Sequence, residues 1–501
     1  MLPATRSRRV TDGGHDGRGA PDDRGQVPVS ETATTAAQAP PARLGRWTLT
    51  ALVVGSMVGA GVFSLPGEFA QRTGVLGAVV AWVVAGSGTL ALALTFLRLA
   101  ERRPDLDAGV YAYARAGFGR YAGFLSAAGY FLSAVVGNVA FWVLITSTVG
   151  EWVPALRDGA TPAAVAVASV GVWVYHVLIL RGVQSATAIN RVVTVAKLVP
   201  LAVFVVVAAT AFDPAVWVAN LGTGDASLLA RVRSTMLITV FVFIGIEGAS
   251  VYSRFARRRR DVGAATVTGF VGVLALFVLV TLLPYGVLPV AEIAALDQPS
   301  VGGVLAHVLG PVGAAFVGAG LVVSVLGAYL AWTLMSCEVV VRAARDGDLP
   351  AWLGRENARG APVAAVTATS VLVQLFLLTV LGTTDAFTVA VQLCSSLVLV
   401  PYLLSAGYSL RVAVADRGLP HRGGWLLLAV VTLVYALFLV WAGGLGYLLL
   451  TCLVYAPASV LHLRVRREDG GLRPAERVAC VVVTVLAVLA AVGLATGRID
   501  L

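Results

Sequence analysis

Two glycine clusters interrupt apolar runs of this sequence, and each would expose polar backbone that a continuous helix hides. GSMVGAG at 55–61 places three glycines in seven residues, each lowering helix propensity by about 1 kcal/mol relative to alanine. Ile244, Gly245, Ile246, Glu247 and Gly248 set a carboxylate between two glycines in a later run. In lipid, an interrupted helix is tolerated only where its backbone lines a cavity or is buried in protein. The half-helix ends then present free N–H groups on one side and free carbonyls on the other. Together they hold a carboxylate and an ammonium, so a zwitterionic amino acid fits both ends. One such cluster could equally serve close helix packing, as small-xxx-small patterns do. Two in equivalent positions point to transport.

Ionisable residues inside apolar runs are costly and by default functional. Glu247 belongs to the second break, where it could exchange protons with a pathway or brace unwound backbone. Lys197, the only lysine, sits in NRVVTVAKLVPL with apolar neighbours on every side. Its ammonium needs partners, and the following two turns offer the stem no interface to snorkel towards. Glu338 has Arg342 at i+4 and could simply pair with it. Asp105 and Asp107 read as loop or helix-cap residues.

Only helices that cross a bilayer can position these groups. The chain is 58% hydrophobic and 13% charged, with a mean hydropathy of +0.85, far above the balance of a soluble domain. Uncharged runs of about 20 residues, the length a bilayer core requires, recur from Trp47 onward. They lie near 47–67, 75–97, 121–149, 162–180, 190–211, 234–252, 263–288, 313–341, 363–382, 386–409, 424–441, 445–463 and 476–496. The expected fold is an all-α membrane protein of about thirteen transmembrane helices. The broken first and sixth helices open two five-helix sets, and an odd number of crossings inserts the second set the other way up, as in an inverted repeat. Additional helices follow at the C-terminal end. Residues 1–42, rich in Gly, Pro, Asp and Arg, carry too little apolar surface to order. The expected organisation is therefore a disordered cytoplasmic tail at 1–42, a twelve-helix core at 43–465, and a loop with a last helix at 466–501.

Charge orients the chain. With the N-terminus cytoplasmic, Arg72, Arg157, Arg231, Arg233 and Arg498 fall on the far face and Lys197 inside a helix, while the rest of the 37 basic residues fall on the near side. That obeys the positive-inside rule and explains the net charge of +10 without a nucleic-acid partner. The basic cluster RFARRRRD at 254–261 could also touch anionic headgroups. Thirty-six arginines against one lysine read as the codon bias of a high-GC bacterium, which would place the chain in a bacterial inner membrane. Cys337, Cys394, Cys452 and Cys480 lack metal or disulfide spacing, and no HExxH or GxSxG lies within a helix. No metal, cofactor or catalytic residue is expected, and nothing in the sequence fixes the oligomeric state.

Six segments carry a resemblance: GSMVGAGVFSLP at 55–66, RRPDLDAGVYAYARAGFGRYAGF at 102–124, GNVAFW at 137–142, FIGIEGASVYS at 243–253, WTLMSCE at 332–338 and VPYLLSAGYSL at 400–410. From about residue 45 to 465 the chain resembles the arginine/ornithine antiporters. These belong to the basic amino acid/polyamine antiporter branch of the amino acid, polyamine and organocation transporters. The resemblance implies a substrate carboxylate held by backbone N–H groups of Gly59, Ala60 and Gly61, and an ammonium held by carbonyls of Met57, Phe241 and Ile244. Relatives commonly have Ser in place of Ala60, and some have Trp in place of Phe241, so carboxylate contact would be purely backbone here. On the third helix Tyr130 and Asn138, eight residues apart, share one face. The resemblance puts Asn138 at the distal nitrogen of a basic side chain, although an interhelical hydrogen bond would also occupy it.

Trp332 matches an aromatic that stacks on the substrate, a contact worth about 0.5–2 kcal/mol. Ser395 and Ser396 would line the distal pocket or bond back to a helical carbonyl. By the same resemblance Glu247 is a gate and proton-sensitive site, and Lys197 points at the first and eighth helices where sodium-coupled relatives hold an ion. The implied function is arginine/ornithine exchange by alternating access, with basic amino acids and the lipid bilayer as partners. A lysine or polyamine permease of the same fold is the alternative, and a non-transporting amino acid sensor the alternative from another class.

Overall fold

The computed structural model describes residues 45–106, 109–182, 187–222, 226–247, 259–381, 383, 385–416, 422–468 and 471–497. All belong to one body, Arg43–Leu501. The expectations for the tail, for Asp107, for Gly248 and for residues 254–258 of the basic cluster fall outside them.

The first apolar run folds in two pieces, as its glycines dictate. Helix α1, Arg46–Met57, stops at Val58; a 3-10 turn at Gly61–Ser64 then leads into α2, Leu65–Ala70, and the two halves are bent by 53°. Next come α3, Val75–Arg102, and a short helix α4, Val110–Phe118. Gly119, at φ +95°, turns the chain into α5, Arg120–Gly150. Thr161 caps α6, Pro162–Leu180, by accepting a hydrogen bond from the N–H of Ala164 at 3.1 Å, with proline in the first turn where its missing donor costs nothing. Then follow α7, Thr187–Thr210; α8, Pro214–Ala219; and α9, Leu228–Phe243. The second half comprises α10, Arg259–Leu282; α11, Val290–Ala294; α12, Ser300–Leu309; α13, Pro311–Arg345; α14, Val363–Thr379; and α15, Ala386–Ala415. The chain closes with α16, Arg422–Glu468, and α17, Pro474–Ala495.

Among the described residues there are no strands, and eight helices are long and apolar enough to cross a membrane, nine when the bent pair counts as one. The other expected runs fall on the shorter or part-described helices α7, α9 and α14. The runs at 424–441 and 445–463 are two helices that meet within α16 at a kink at Gly444, whose non-helical φ of +78° suits glycine.

Helix α5 is the central post. Its apolar window is wholly buried inside the protein, which is why its sequence is apolar on every face. It packs against α13 and α15. The connection from Arg98 to Arg120 is more ordered than a loop. Arg103 pairs with Asp105 at 2.7 Å and holds that carboxyl below the usual carboxylate range through their hydrogen bond. Helix α4 is strapped across neighbouring helix ends by Asp348, which is fully buried just beyond α13. Asp348 accepts from the hydroxyl of Tyr111 and the Nε of Arg120, both at 2.8 Å, and pairs with the Nε of Arg115 at 2.8 Å. On its other side Tyr113 stacks on Tyr408 of α15, ring centres 6.0 Å apart. Glu476 joins the last helix to the post: its carboxylate accepts from the N–H of Arg473 at 2.9 Å and of Tyr121 at 3.4 Å.

Candidate binding site at the broken helices

The two glycine clusters meet. Helix α9 ends at Phe243 and residues 244–247 turn away from the helical path, with Gly245 at φ +108°. The hydroxyl of Ser56, in the last turn of α1, donates to the Gly245 carbonyl at 3.1 Å. A Cβ at Gly245 would stand 2.4 Å from the Ser56 carbonyl oxygen, so only glycine lets the breaks approach this closely.

Lys197 completes the junction from α7. Its Nζ donates to the carbonyls of Gly55 at 2.6 Å and Val58 at 3.0 Å. These belong to the last turn of α1, whose carbonyls lack partners in the helix itself and carry its negative end. The side chain is buried, with its Nζ at the carbonyl end of a broken helix.

Glu247 is buried on the other side of the junction. Its carboxylate accepts from the hydroxyls of Tyr130 on α5 and Tyr402 on α15, each at 2.8 Å, and from the N–H of Gly245 at 3.2 Å. One carboxylate thus ties the unwound backbone to two helices that flank it. Beside it lies a small, nearly filled cavity lined by Tyr130, Ser133, Ala134, Ile244, Trp332 and Met335.

An aromatic cluster covers one side. The rings of Phe141 and Phe241 lie 5.3 Å and 6.3 Å from that of Trp332. Phe241 is pressed onto the first break, its ring carbon 2.7 Å from where a Cβ of Gly61 would be. Gly59 is different, with no atom within 4 Å of that position. Ala60 and Met57 are buried between them.

Asn138 lies one turn beyond Ala134 on α5 and is 0% exposed. Its Nδ2 donates to the Thr333 hydroxyl at 3.0 Å, while its Oδ1 has no hydrogen-bond partner among the described residues. Such an orphan costs about 1–3 kcal/mol. Ser396 also has a buried hydroxyl without a hydrogen-bond partner among the described residues. Ser395 instead donates to the carbonyls of Leu237 at 2.7 Å and Val391 at 2.8 Å, the helix-bonding alternative of the sequence reading.

The fourteen expected site residues are therefore not all together. Tyr130, Ile244 and Trp332 line the cavity, Met57 to Gly61, Lys197, Glu247 and Phe241 build the junction, and Asn138 stands one turn away. Glu338 stands apart: it is exposed on α13, not buried among apolar side chains. Arg342, four residues on, pairs with Asp346 at 3.3 Å. Sequence reasoning missed Ser133, Ala134, Thr333, Met335 and Tyr402. Helical spacing could have found three of them, since Ser133 and Ala134 follow Tyr130 by three and four residues and Met335 follows Trp332 by three.

Two helix breaks that meet beside a small cavity, among helices long and apolar enough to cross a bilayer, fit a multi-pass membrane protein with a transporter's architecture. The amino acid permease family model matches residues 44–451, and the chain belongs to that family. It is 43% identical over 475 residues to the arginine/ornithine antiporter of Pseudomonas aeruginosa, covering 92% of this chain and 98% of that one. It is 38% identical to the L-lysine transport protein of Corynebacterium glutamicum, over 91% of this chain and 95% of the relative. To the arginine/agmatine antiporter of Chlamydia caviae it is 34% identical, over 91% and 98% of the two chains.

Proposed function

We propose that this protein exchanges basic amino acids across the bacterial inner membrane, arginine against ornithine, by alternating access around the junction of the two breaks. The fully buried Oδ1 of Asn138, without a hydrogen-bond partner among the described residues, carries the reading. A guanidinium or ammonium supplies only donors, and a buried acceptor beside an aromatic face suits such a group. The backbone of Gly59, Ala60 and Gly61 would take the substrate carboxylate, and the carbonyls of Met57, Phe241 and Ile244 its α-ammonium. Tyr130 and Ser396 would border the side chain. Glu247 would act as a gate, since the Tyr130–Glu247–Tyr402 bridge must open for the cavity to change its access.

The orientation follows the arginine distribution, with the N-terminus cytoplasmic. Exchange of this kind needs no cofactor and no catalytic step. The names of the relatives favour lysine and agmatine as further candidates, and all are cations.

Competition tests the charge class. Unlabelled arginine and ornithine should each suppress uptake of labelled arginine through one site, whereas glutamate and leucine should leave it unchanged. Inhibition by leucine equal to that by ornithine would contradict a cation-selective pocket.

A further inference from the structure

The short helix that follows the first break is completely covered. All six residues of α2 are buried, and one of them is Glu68, 1% exposed. A carboxylate in such a place persists only when it is paired and hydrogen-bonded. Arg72, one turn on, pairs with its Oε2 at 2.7 Å, and the hydroxyl of Thr388, in the first turn of α15, donates to its Oε1 at 2.8 Å. The first contact stays within one stretch of chain, whereas the second ties α2 to a helix more than 300 residues away. Two neutral bonds hold α2 elsewhere: the N–H of Gly67 donates to the Ser300 hydroxyl of α12 at 2.9 Å, and Gln71 donates to the Ala294 carbonyl of α11 at 3.2 Å. Helix α15 therefore grips both breaks. Thr388 holds the segment after the first and Tyr402 holds Glu247 at the second, about 21 Å apart by the helical rise.

We propose that the bond from Thr388 to Glu68 is an outer latch, which fastens α2 to α15 while the outer approach is shut and parts when that approach opens. The proposal rests on the alternating-access reading and names the contact that must break. With the N-terminus cytoplasmic, α2 leads from the first break to the outer face and α15 starts there. A solute coming from outside to the backbone of Gly59, Ala60 and Gly61 passes α2, and because every residue of α2 is covered, the helix must first leave a neighbour. A hydroxyl on a carboxylate suits a contact made and broken in each cycle. It is strong while dry, and once parted both groups exchange it for bonds to water, so the net difference between the two states is small. Arg72 stays with Glu68 throughout, so the carboxylate is never left without a counter-charge.

Access from outside is the quantity to measure. Ala134 lines the cavity, so in right-side-out vesicles the variant Ala134→Cys reports how often a membrane-impermeant methanethiosulfonate reaches it, with the protein lacking that substitution as the background. Added to this reporter, Thr388→Val keeps the shape and removes the hydroxyl, and should raise the labelling rate about tenfold, the value of one hydrogen bond to a charged group. Thr388→Ser should leave the rate where it was. In a second arm, Glu68→Cys with Thr388→Cys, joined by a short bis-methanethiosulfonate, should stop arginine exchange, and dithiothreitol should restore it. A labelling rate unchanged by Thr388→Val overturns the proposal, and so does exchange that continues in the crosslinked protein. If one set of variants does not fold, the other decides. Labelling needs no substrate, so failure of the function reading looks different: the unsubstituted protein would then show no arginine exchange, whatever the labelling rates.

Discussion

Lys197→Met should abolish exchange while leaving the protein inserted in the membrane. Methionine fills a similar volume but cannot donate, so the carbonyls of Gly55 and Val58 lose their bonds at 2.6 Å and 3.0 Å. Each bond involves a charged group and is worth about 1.5–3 kcal/mol. Since 1.36 kcal/mol is tenfold in rate, losing the pair should slow exchange by about 10²-fold or more. The C-terminal end of α1 would then have no cation to stabilise it beside the substrate's own charges. If Lys197 stands in for a bound metal cation, transport needs no sodium. Uptake should accordingly be the same when choline replaces sodium, and a collapse in choline would refute the fixed-cation role. Membrane-fraction yield and thermal stability of the variant separate lost transport from lost insertion.

Gly245→Ala should be the other severe change, for a backbone reason. Its φ of +108° is strained for any side chain, and the new Cβ would lie 2.4 Å from a carbonyl oxygen of α1, which cannot rotate aside. Strain of about 1–3 kcal/mol adds to the loss of the Ser56 bond, so both the melting temperature and exchange should fall. Gly59→Ala makes the informative contrast. The space beside Gly59 is open, so stability should hold. If that space receives the substrate carboxylate, the methyl group should weaken arginine binding. A Gly59→Ala protein with unchanged stability and unchanged arginine affinity would remove the carboxylate from this break.

How far the molecule is legible in its sequence follows from which effects are local. Glycine clustering is local, so both breaks could be read from residues 55–61 and 244–248, and apolar run length located the long helices. The isolated lysine was readable as a paired charge because burial leaves an ammonium no alternative. Its actual partners, two carbonyls of α1, depend on how α7 packs and are not written in its neighbourhood. Glu338 is a contrasting case, since its place on the exposed side of α13 is set by tertiary packing and is not written in the apolar run around it. The helix α4 was concealed because its role is to bridge helix ends through Asp348 and Tyr408, contacts separated from it by hundreds of residues. Tyr402 was missed for the same reason, since it reaches Glu247 from 155 positions away.

Counterflow in proteoliposomes tests the central claim most directly. Labelled arginine is offered outside vesicles that contain ornithine, leucine or buffer alone, with no ion gradient. Exchange of basic amino acids predicts rapid arginine entry into ornithine-loaded vesicles and little entry into the other two. Equal entry into all three would contradict exchange, and stimulation by internal leucine as strong as by ornithine would contradict a site built for cations.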